Sequence, residues 1–207
     1  MTRESNAQLT EAMHKKALVK FWSPFEPGST HGYVLDIGPR FFLLGLVGDN
    51  IRFNGFQCLR LSDVRRLRVP DPYAKFIIAA LSKRGEIIQR KPRINLKSLP
   101  ELLESANRLY PIATIHREKV DPDSCKIGRL LGIGKSHVYL LEIGPDAIWE
   151  EEPTEIALRE ITRVDFGGGY EDALYIVGGN PPPTKPKSRN SRHRGQSAGL
   201  PVREPSR

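Results

Sequence analysis

The tripeptide Gly134-Lys135-Ser136 has the residue types that end a phosphate-binding loop. Such a loop needs an earlier glycine, which would fall at Arg129, and Gly128 lies one residue out of register. The loop must also lead into a helix whose N-terminus meets the phosphate, whereas a strand pattern follows here. We therefore predict a plain hairpin turn at this position and no nucleotide site.

Other residue types with chemical potential lack the spacing that chemistry needs. Gly167-Gly168-Gly169 opens a helical pattern, yet Glu171 and Asp172 would repel a phosphate, so a tight strand-to-helix turn is predicted. The run Glu150-Glu151-Glu152 is interpreted as a solvated loop. No metal-ligand spacing connects the histidines, which are His14, His31, His116, His137 and His193. Because no nucleophile, base and oxyanion donors come together, we expect a protein that is not an enzyme and uses no metal or cofactor.

Basic residues are the best candidates for ligand binding. Arginines are concentrated between residues 52 and 68, and residues 83–97 are also basic. At the positions that correspond to Arg60, Arg65, Arg66 and Arg68, a similar later segment has Ala157, Thr162, Arg163 and Asp165. Together they could follow a phosphate backbone, with Phe53, Phe56 or Trp22 as stacking faces. The candidate nucleic-acid-binding residues are Arg52, Arg60, Arg65, Arg66, Arg68, Arg90, Lys91 and Arg93. The alternative is that these arginines lie on solvated strand faces and that the aromatic side chains form the core.

Most of the positive charge belongs to the C-terminal segment. The formal net charge of the 207 residues is +8, and the segment from Gly179 onwards carries +6 of it, with seven Lys or Arg and one acidic residue. The remaining chain is nearly neutral. Since the composition of the tail cannot build a core, we predict a disordered basic extension over 180–207. Contact with nucleic acid or an acidic surface is the alternative role.

The elements that position these residues follow from a repeat. Residues 31–39 and 137–145 are identical at six of nine positions, and residues 60–79 align with 157–176 without a gap. The first block alternates with a two-residue period and ends in Gly-Pro, which predicts a strand in each copy. This alignment makes His31 equivalent to His137, and a structural role at a strand start is predicted for both.

The second block contains a turn and a helix. The polar pairs Ser62-Asp63 and Arg159-Glu160 predict tight turns before a last short strand, and Gly178-Gly179 predicts the end of a closing helix. In the first copy Asp71 is the predicted N-cap with Pro72 at the first helical position. Helical spacing then predicts one apolar face, made by Tyr73, Phe76, Ile77, Ala80 and Leu81.

Three local signals complete the predicted elements. Ser5–Lys16 has the pattern of an N-terminal helix, and Asn54-Gly55 predicts a two-residue hairpin turn. Ser98 and Glu101 have capping-box spacing at the start of a connecting helix, which we expect to pack on or between the two repeat units. Cys58 and Cys125 do not correspond between the repeats, so two free thiols are expected.

The predicted strands are short, and the segments LSDVRRLRV and LREITRVDF each lead into the last strand of their repeat. In these features the chain is similar to small SH3-like or Sm-like β-barrels. It also resembles bacterial proteins built from such barrels, and PRC-type barrels, which often act as adaptors. The resemblance implies a mainly β (α+β) chain of two tandem barrels with short helices. The base-binding residues of Sm proteins are not carried over, since Asp36 and Arg52-Phe53-Asn54-Gly55 do not have their spacing. The expected divisions are 1–16 N-terminal helix, 17–81 first barrel with closing helix, 82–111 basic linker and connecting helix, 112–179 second barrel with closing helix, and 180–207 tail.

Two functions fit these features. The first is a non-enzymatic binding or adaptor protein that uses both barrels to contact a protein partner. The second is RNA or other nucleic-acid binding through the first barrel, the linker and the tail. No apolar run has the length of a signal peptide or a membrane span, and the free cysteines suit a reducing compartment, so a cytoplasmic location without membrane contact is expected.

Overall fold

A computed structural model of the chain describes residues 3–88 and 90–183. As predicted, the described chain is mainly β with short helices. The strands are β1 Leu18–Trp22, β2 Ser29–Ile37, β3 Phe41–Val47, β4 Phe53–Arg60, β5 Arg65–Arg68, β6 Ala113–Arg117, β7 Asp121–Ile133, β8 His137–Glu142, β9 Thr154–Ala157 and β10 Arg163–Phe166. The helices are α1 Arg3–Lys15, α2 Ala74–Lys83, α3 Leu99–Leu109 and α4 Gly169–Gly178. From residue 184 onwards, the predicted disordered tail lies outside the described residues.

The ten strands form one antiparallel sheet in the order β5-β1-β2-β3-β4-β10-β6-β7-β8-β9. Each half of the sheet has the same internal order, with its fifth strand next to its first. We call the pairing of β4 with β10 the joint, and it runs from Arg163 opposite Leu59 to Phe166 opposite Phe56. The predicted pair of separate, closed barrels is not seen. Because β4 gives its second edge to a strand of the other half, the sheet is continuous and open.

The strand order corrects the alignment of the repeated nonapeptide. Residues 31–37 lie in β2, the second strand of the first half, whereas residues 137–142 lie in β8, the third strand of the second half. His31 and His137 are therefore not equivalent. Topology instead pairs β8 with β3 at an offset of 96. The N–H of Leu61 bonds the carbonyl of Arg40, and the N–H of Leu158 bonds the carbonyl of Ser136, where Leu61 and Leu158 begin two short 3₁₀ helices. A two-residue apolar period fits any half-buried strand, so it cannot distinguish one strand of a meander from the next.

The connecting helix α3 packs in the core shared by both halves. Leu102, Leu103 and Ala106 are fully buried there, together with Leu43 of the first half and Leu140 of the second. The predicted capping box is confirmed, since the Ser98 hydroxyl accepts from the backbone N–H of Glu101 and donates to its carboxylate. The apolar face of this helix therefore holds the two halves of the sheet together.

The predicted hairpin at Asn54-Gly55 is wrong. The chain reverses between β3 and β4 at residues 48–52, where the N–H of Gly48 bonds the carbonyl of Arg52 at 2.9 Å. Asn54 instead accepts from the N–H of Gly169, and Gly55, with φ of +71°, lies against the Gly167 turn of the other half. The conformation of Asn54-Gly55 is therefore set by contacts with residues far away in the sequence, and not by a hairpin turn.

The start of α2 also differs from the prediction. The helix begins at Ala74, and Asp71 precedes it. The side chain of Asp71 is fully buried, and its carboxylate accepts from the N–H of Tyr73 at 2.7 Å. The other oxygen of Asp71 contacts Nδ1 of His31 on β2. Asp71 therefore ties the turn before α2 to the sheet and does not cap the helix itself.

Candidate functional site

Three of the predicted basic residues lie together on the edge strand β5. Arg65, Arg66 and Arg68 are all exposed, and β5 pairs on one side only, with β1. Arg65 donates to the carbonyls of Ser62 and Val64, at 2.7 and 3.0 Å. This edge is the part of the predicted basic stripe that the fold brings together.

The other candidate residues are dispersed. Arg52 pairs with Glu86 at 2.9 Å, and Lys91 pairs with Asp36 at 3.1 Å, so carboxylates already compensate both. Arg60 contacts the second half, since its Nη2 donates to the carbonyl oxygens of Arg159 and Ile161. Arg90 and Arg93 are exposed on the linker before α3. A nucleic-acid role for the eight residues stays a prediction.

The three aromatic residues suggested for stacking have different environments. Phe56 is 7% exposed and packs on Phe166 with ring centroids 5.9 Å apart, so its faces are not open to a base. Trp22 and Phe53 are half-buried. The Trp22 ring has the ammonium of Lys20 at 5.1 Å from its centroid. Of the three, only Trp22 and Phe53 keep exposed surface for a ligand.

Both glycine-containing motifs form turns, as predicted. Gly134 donates its N–H to the carbonyl of His137 at 2.8 Å in the hairpin between β7 and β8. Gly167, with φ of +68°, makes the turn from β10 into α4. Across residues 3–88 and 90–183, no three His, Cys, Asp or Glu side chains are grouped to hold a metal ion. Cys58 is buried, Cys125 is exposed, and both are free thiols.

A buried charged cluster at the joint was missed from the sequence. The guanidinium of Arg163 contacts Glu26 and Glu118 through Nη1 and Asp165 through Nε, the last two at 3.7 and 3.3 Å. His116 contacts Arg163 at 3.1 Å and Asp165 at 3.1 Å. Glu26 is 137 residues from Arg163, and no local spacing signals such a contact.

The electrostatics of this cluster are those of a structural site. Burial lowers the pKa of Arg163, but Asp165, Glu26 and Glu118 together outweigh that effect and the net shift is upward. The cation is therefore permanently charged and compensates the three carboxylates. His116 lies between them and accepts from the Arg163 guanidinium, which has only donors. We assign the cluster to holding β10 in the sheet.

One face of α2 carries large apolar side chains that stay exposed in the folded chain. Ile77 and Leu81 are buried as predicted, but Tyr73 and Phe76 are 61% and 64% exposed. The predicted single apolar face is therefore divided, with its two aromatic members on the outside. Lys20 lies 5.1 Å from the Tyr73 ring, and Lys75 is exposed beside it. We call the exposed Tyr73 and Phe76 with these two lysines the α2 surface.

Helix α4 also has an exposed apolar face, but the charged residues near it are acidic. Tyr170, Ile176 and Val177 are 55%, 72% and 75% exposed, whereas Leu174 is buried. The first turn of α4 carries Glu171 and Asp172. The two closing helices thus both expose apolar side chains, one beside cations and the other beside carboxylates.

Among the helices of the described residues, none is long and apolar enough to cross a bilayer. Comparisons with protein-family models, curated proteins and solved structures found no match for this chain.

Proposed function

We propose that this chain is a non-enzymatic binding or adaptor protein made of two tandem units that are related to small SH3-like or Sm-like barrels and share one open sheet. The architecture is supported by the strand order, which is the same in both halves, and by the 3₁₀ helix and α-helix associated with the last strand of each half. The binding role is supported by the α2 surface, which is our candidate contact for a protein partner. Its exposed aromatic pair is the single observation that carries the proposal.

Tyr73 and Phe76 are three residues apart and lie on the same side of the chain at the start of α2. Aromatic side chains are the commonest anchors of protein interfaces. Burying one against a partner contributes roughly 1–2 kcal/mol to the free energy of binding. Inside the fold these two rings have no such cover. A partner that binds here would therefore bury the apolar surface of Tyr73 and Phe76, which stays exposed to water after folding.

The charges around the two rings define the partner. Lys20 and Lys75 border them, and the last turn of α2 adds Lys83. No acidic residue lies on α2 itself, whose sequence is AKFIIAALSK. The complementary partner is a protein segment with apolar side chains on one face and carboxylates around them.

The test uses two synthetic helical peptides, each with leucine on one face and either glutamate or lysine on the other. We expect the glutamate peptide to bind and the lysine peptide not to bind. Phe76→Ser should weaken binding by about 2 kcal/mol, or roughly thirtyfold, since it removes one anchor. Ile176→Ser on α4 is the matched control and should bind as the native protein does. Equal binding of both peptides, or equal loss in both variants, would contradict the assignment.

RNA binding is the second candidate function, favoured by the exposed arginines of β5. Arg65, Arg66 and Arg68 form no ion pair with a carboxylate among the contacts of the described chain. Contacts to phosphates predict that affinity falls steeply as salt rises. Replacing all three arginines with glutamate should abolish binding of single-stranded RNA at low salt. Retention of full affinity would refute this role.

A further inference from the structure

A cleft of about 840 Å³ lies between the two halves of the sheet. The first half lines it with residues 39–41 and 60–62, and the second half with residues 135–137 and 157–159. Residues 99–100 at the start of α3 complete the wall. This volume is in the range of sites for small organic ligands.

The charged side chains that line the cleft are all cationic at neutral pH. They are Arg40, Arg60, Lys135 and Arg159, and no Asp or Glu is among the lining residues. None of the four forms an ion pair within residues 3–88 and 90–183. Four like charges around one concave surface repel each other, and the concave shape concentrates their field. Such an arrangement is complementary to an anion.

Arg60 links the two walls of the cleft. Its Nη2 donates to the carbonyl of Arg159 at 3.0 Å and to that of Ile161. The bonds cross from the end of β4 to the 3₁₀ helix that carries Arg159, so they fix the distance between the walls. The pKa of Arg60 is lowered, first by burial and further by Arg40, while Asp63 opposes the shift. A bound anion would relieve the repulsion between Arg40 and Arg60.

Hydroxyl groups and apolar side chains supply the rest of the cleft. The Ser136 hydroxyl lies 2.9 Å from Nδ1 of His137, whose ring also contacts Glu155 at 3.3 Å. The floor includes the buried side chains of Phe41, Leu61 and Leu99. The first turn of α3 is occupied by its own capping box, so recognition here depends on side chains. The cleft thus combines anion-binding groups with an apolar surface.

We propose that this cleft binds an organic phosphate of nucleotide size. This differs from the sequence-based prediction of no nucleotide site at Gly134-Lys135-Ser136, because Lys135 and Ser136 take part here through their side chains and not through a P-loop and helix N-terminus. Arg40, Lys135 and Arg159 contact the phosphate oxygens, Ser136 donates a hydrogen bond, and the apolar floor contacts the organic part of the ligand. Arg60 is a positioning residue, since its guanidinium holds the second wall in place. The site goes beyond the protein-binding role proposed for the α2 surface and does not depend on it. A free nucleotide and one nucleotide of a single-stranded RNA present the same phosphate chemistry.

The test is calorimetric titration of the 207-residue protein with ADP and, separately, with a short single-stranded oligouridylate. Both titrations are run at 50 and 200 mM salt. Arg40→Gln and Lys135→Gln should each weaken ADP binding roughly tenfold, because each removes a charge-assisted hydrogen bond. Arg108→Gln is the matched control, since this exposed arginine is in the last turn of α3, at the end far from the cleft. All four proteins keep the basic tail, so its contribution to binding cancels.

The outcomes separate the two ligand sources. ADP binding that is weakened by the cleft variants and not by the control supports a free organic phosphate as ligand. Oligouridylate binding with the same variant pattern, without ADP binding, supports the phosphate site and places the phosphate in a polynucleotide. If neither probe binds at millimolar concentration in 50 mM salt, or if Arg108→Gln weakens binding as much as Lys135→Gln, the proposal is overturned.

Discussion

Replacing Arg163 with methionine should remove the charge that compensates the buried cluster at the joint. Arg163 is 9% exposed, and methionine keeps much of its apolar stem in place. The change leaves Glu118 and Asp165 with side chains 6% and 17% exposed and without their cation. Glu26 is 37% exposed, so water screens it and its share of the penalty is small.

Breaking a buried ion pair by removing one partner costs about 3–5 kcal/mol, and the exposure of Glu26 favours the lower end, about 3 kcal/mol. For a protein of this size, that loss lowers Tm by roughly 6–12 °C. The measurement is urea unfolding followed by tryptophan fluorescence. We expect a lower midpoint with an unchanged slope, which indicates a change in stability and not in the surface exposed on unfolding.

The repeat supplies the matched control. Arg66 occupies the position of Arg163 at the offset of 97 and is exposed on β5, so Arg66→Met should change stability by no more than about 0.5 kcal/mol. Adding Glu118→Gln to Arg163→Met should recover part of the loss, since it removes one uncompensated charge. The reasoning is refuted if Arg163→Met costs less than about 1 kcal/mol, or if both arginine variants cost the same.

Two further predictions concern packing and thiol chemistry. Gly55 and Gly85 both have φ near +70°, but a Cβ on Gly55 would lie 2.4 Å from the backbone nitrogen of Gly168, whereas a Cβ on Gly85 meets nothing within 4 Å. Gly85→Ala should therefore cost about 1–2 kcal/mol, and Gly55→Ala clearly more; equal midpoints in urea would contradict the packing of this turn. Burial raises the pKa of both thiols, well above its usual value for Cys58, and Asp165 adds to the increase at each. A maleimide at pH 7 should label only Cys125, more slowly than free cysteine, and the rate should rise with pH as thiolate forms; labelling of Cys58 in the native protein would refute this.

Local signals in the sequence were sufficient where their partners are also local. The capping box at Ser98 needs only the residue three positions on, and it is present. The polar pairs at Ser62-Asp63 and Arg159-Glu160 form the expected turns for the same reason. Alternation of apolar residues likewise predicted most strands, because one face of each strand is buried.

Features that depend on distant contacts were not predictable in this way. Asn54-Gly55 has the composition of a hairpin turn, but its contacts to the Gly167 turn of the other half decide its structure. The helical period grouped Phe76 with Ile77, although only the packing of the helix shows which of the two is buried. The joint is the pairing of β4 with β10, and no residue spacing within either strand predicts it.

The cleft and the joint are physically coupled, and this gives a test of where a phosphate binds. The walls of the cleft belong to different halves, so the cleft exists only while β4 stays paired with β10. A ligand present at 100 times its Kd stabilises the binding-competent state by about 2.7 kcal/mol, close to the loss expected from Arg163→Met. If that variant opens locally at the joint, ADP should slow hydrogen exchange of the β4 and β10 amides more than that of α1, which lies outside the cleft. Equal slowing in all three elements would show that the ligand acts on global unfolding alone, and slowing confined to α1 would place it elsewhere.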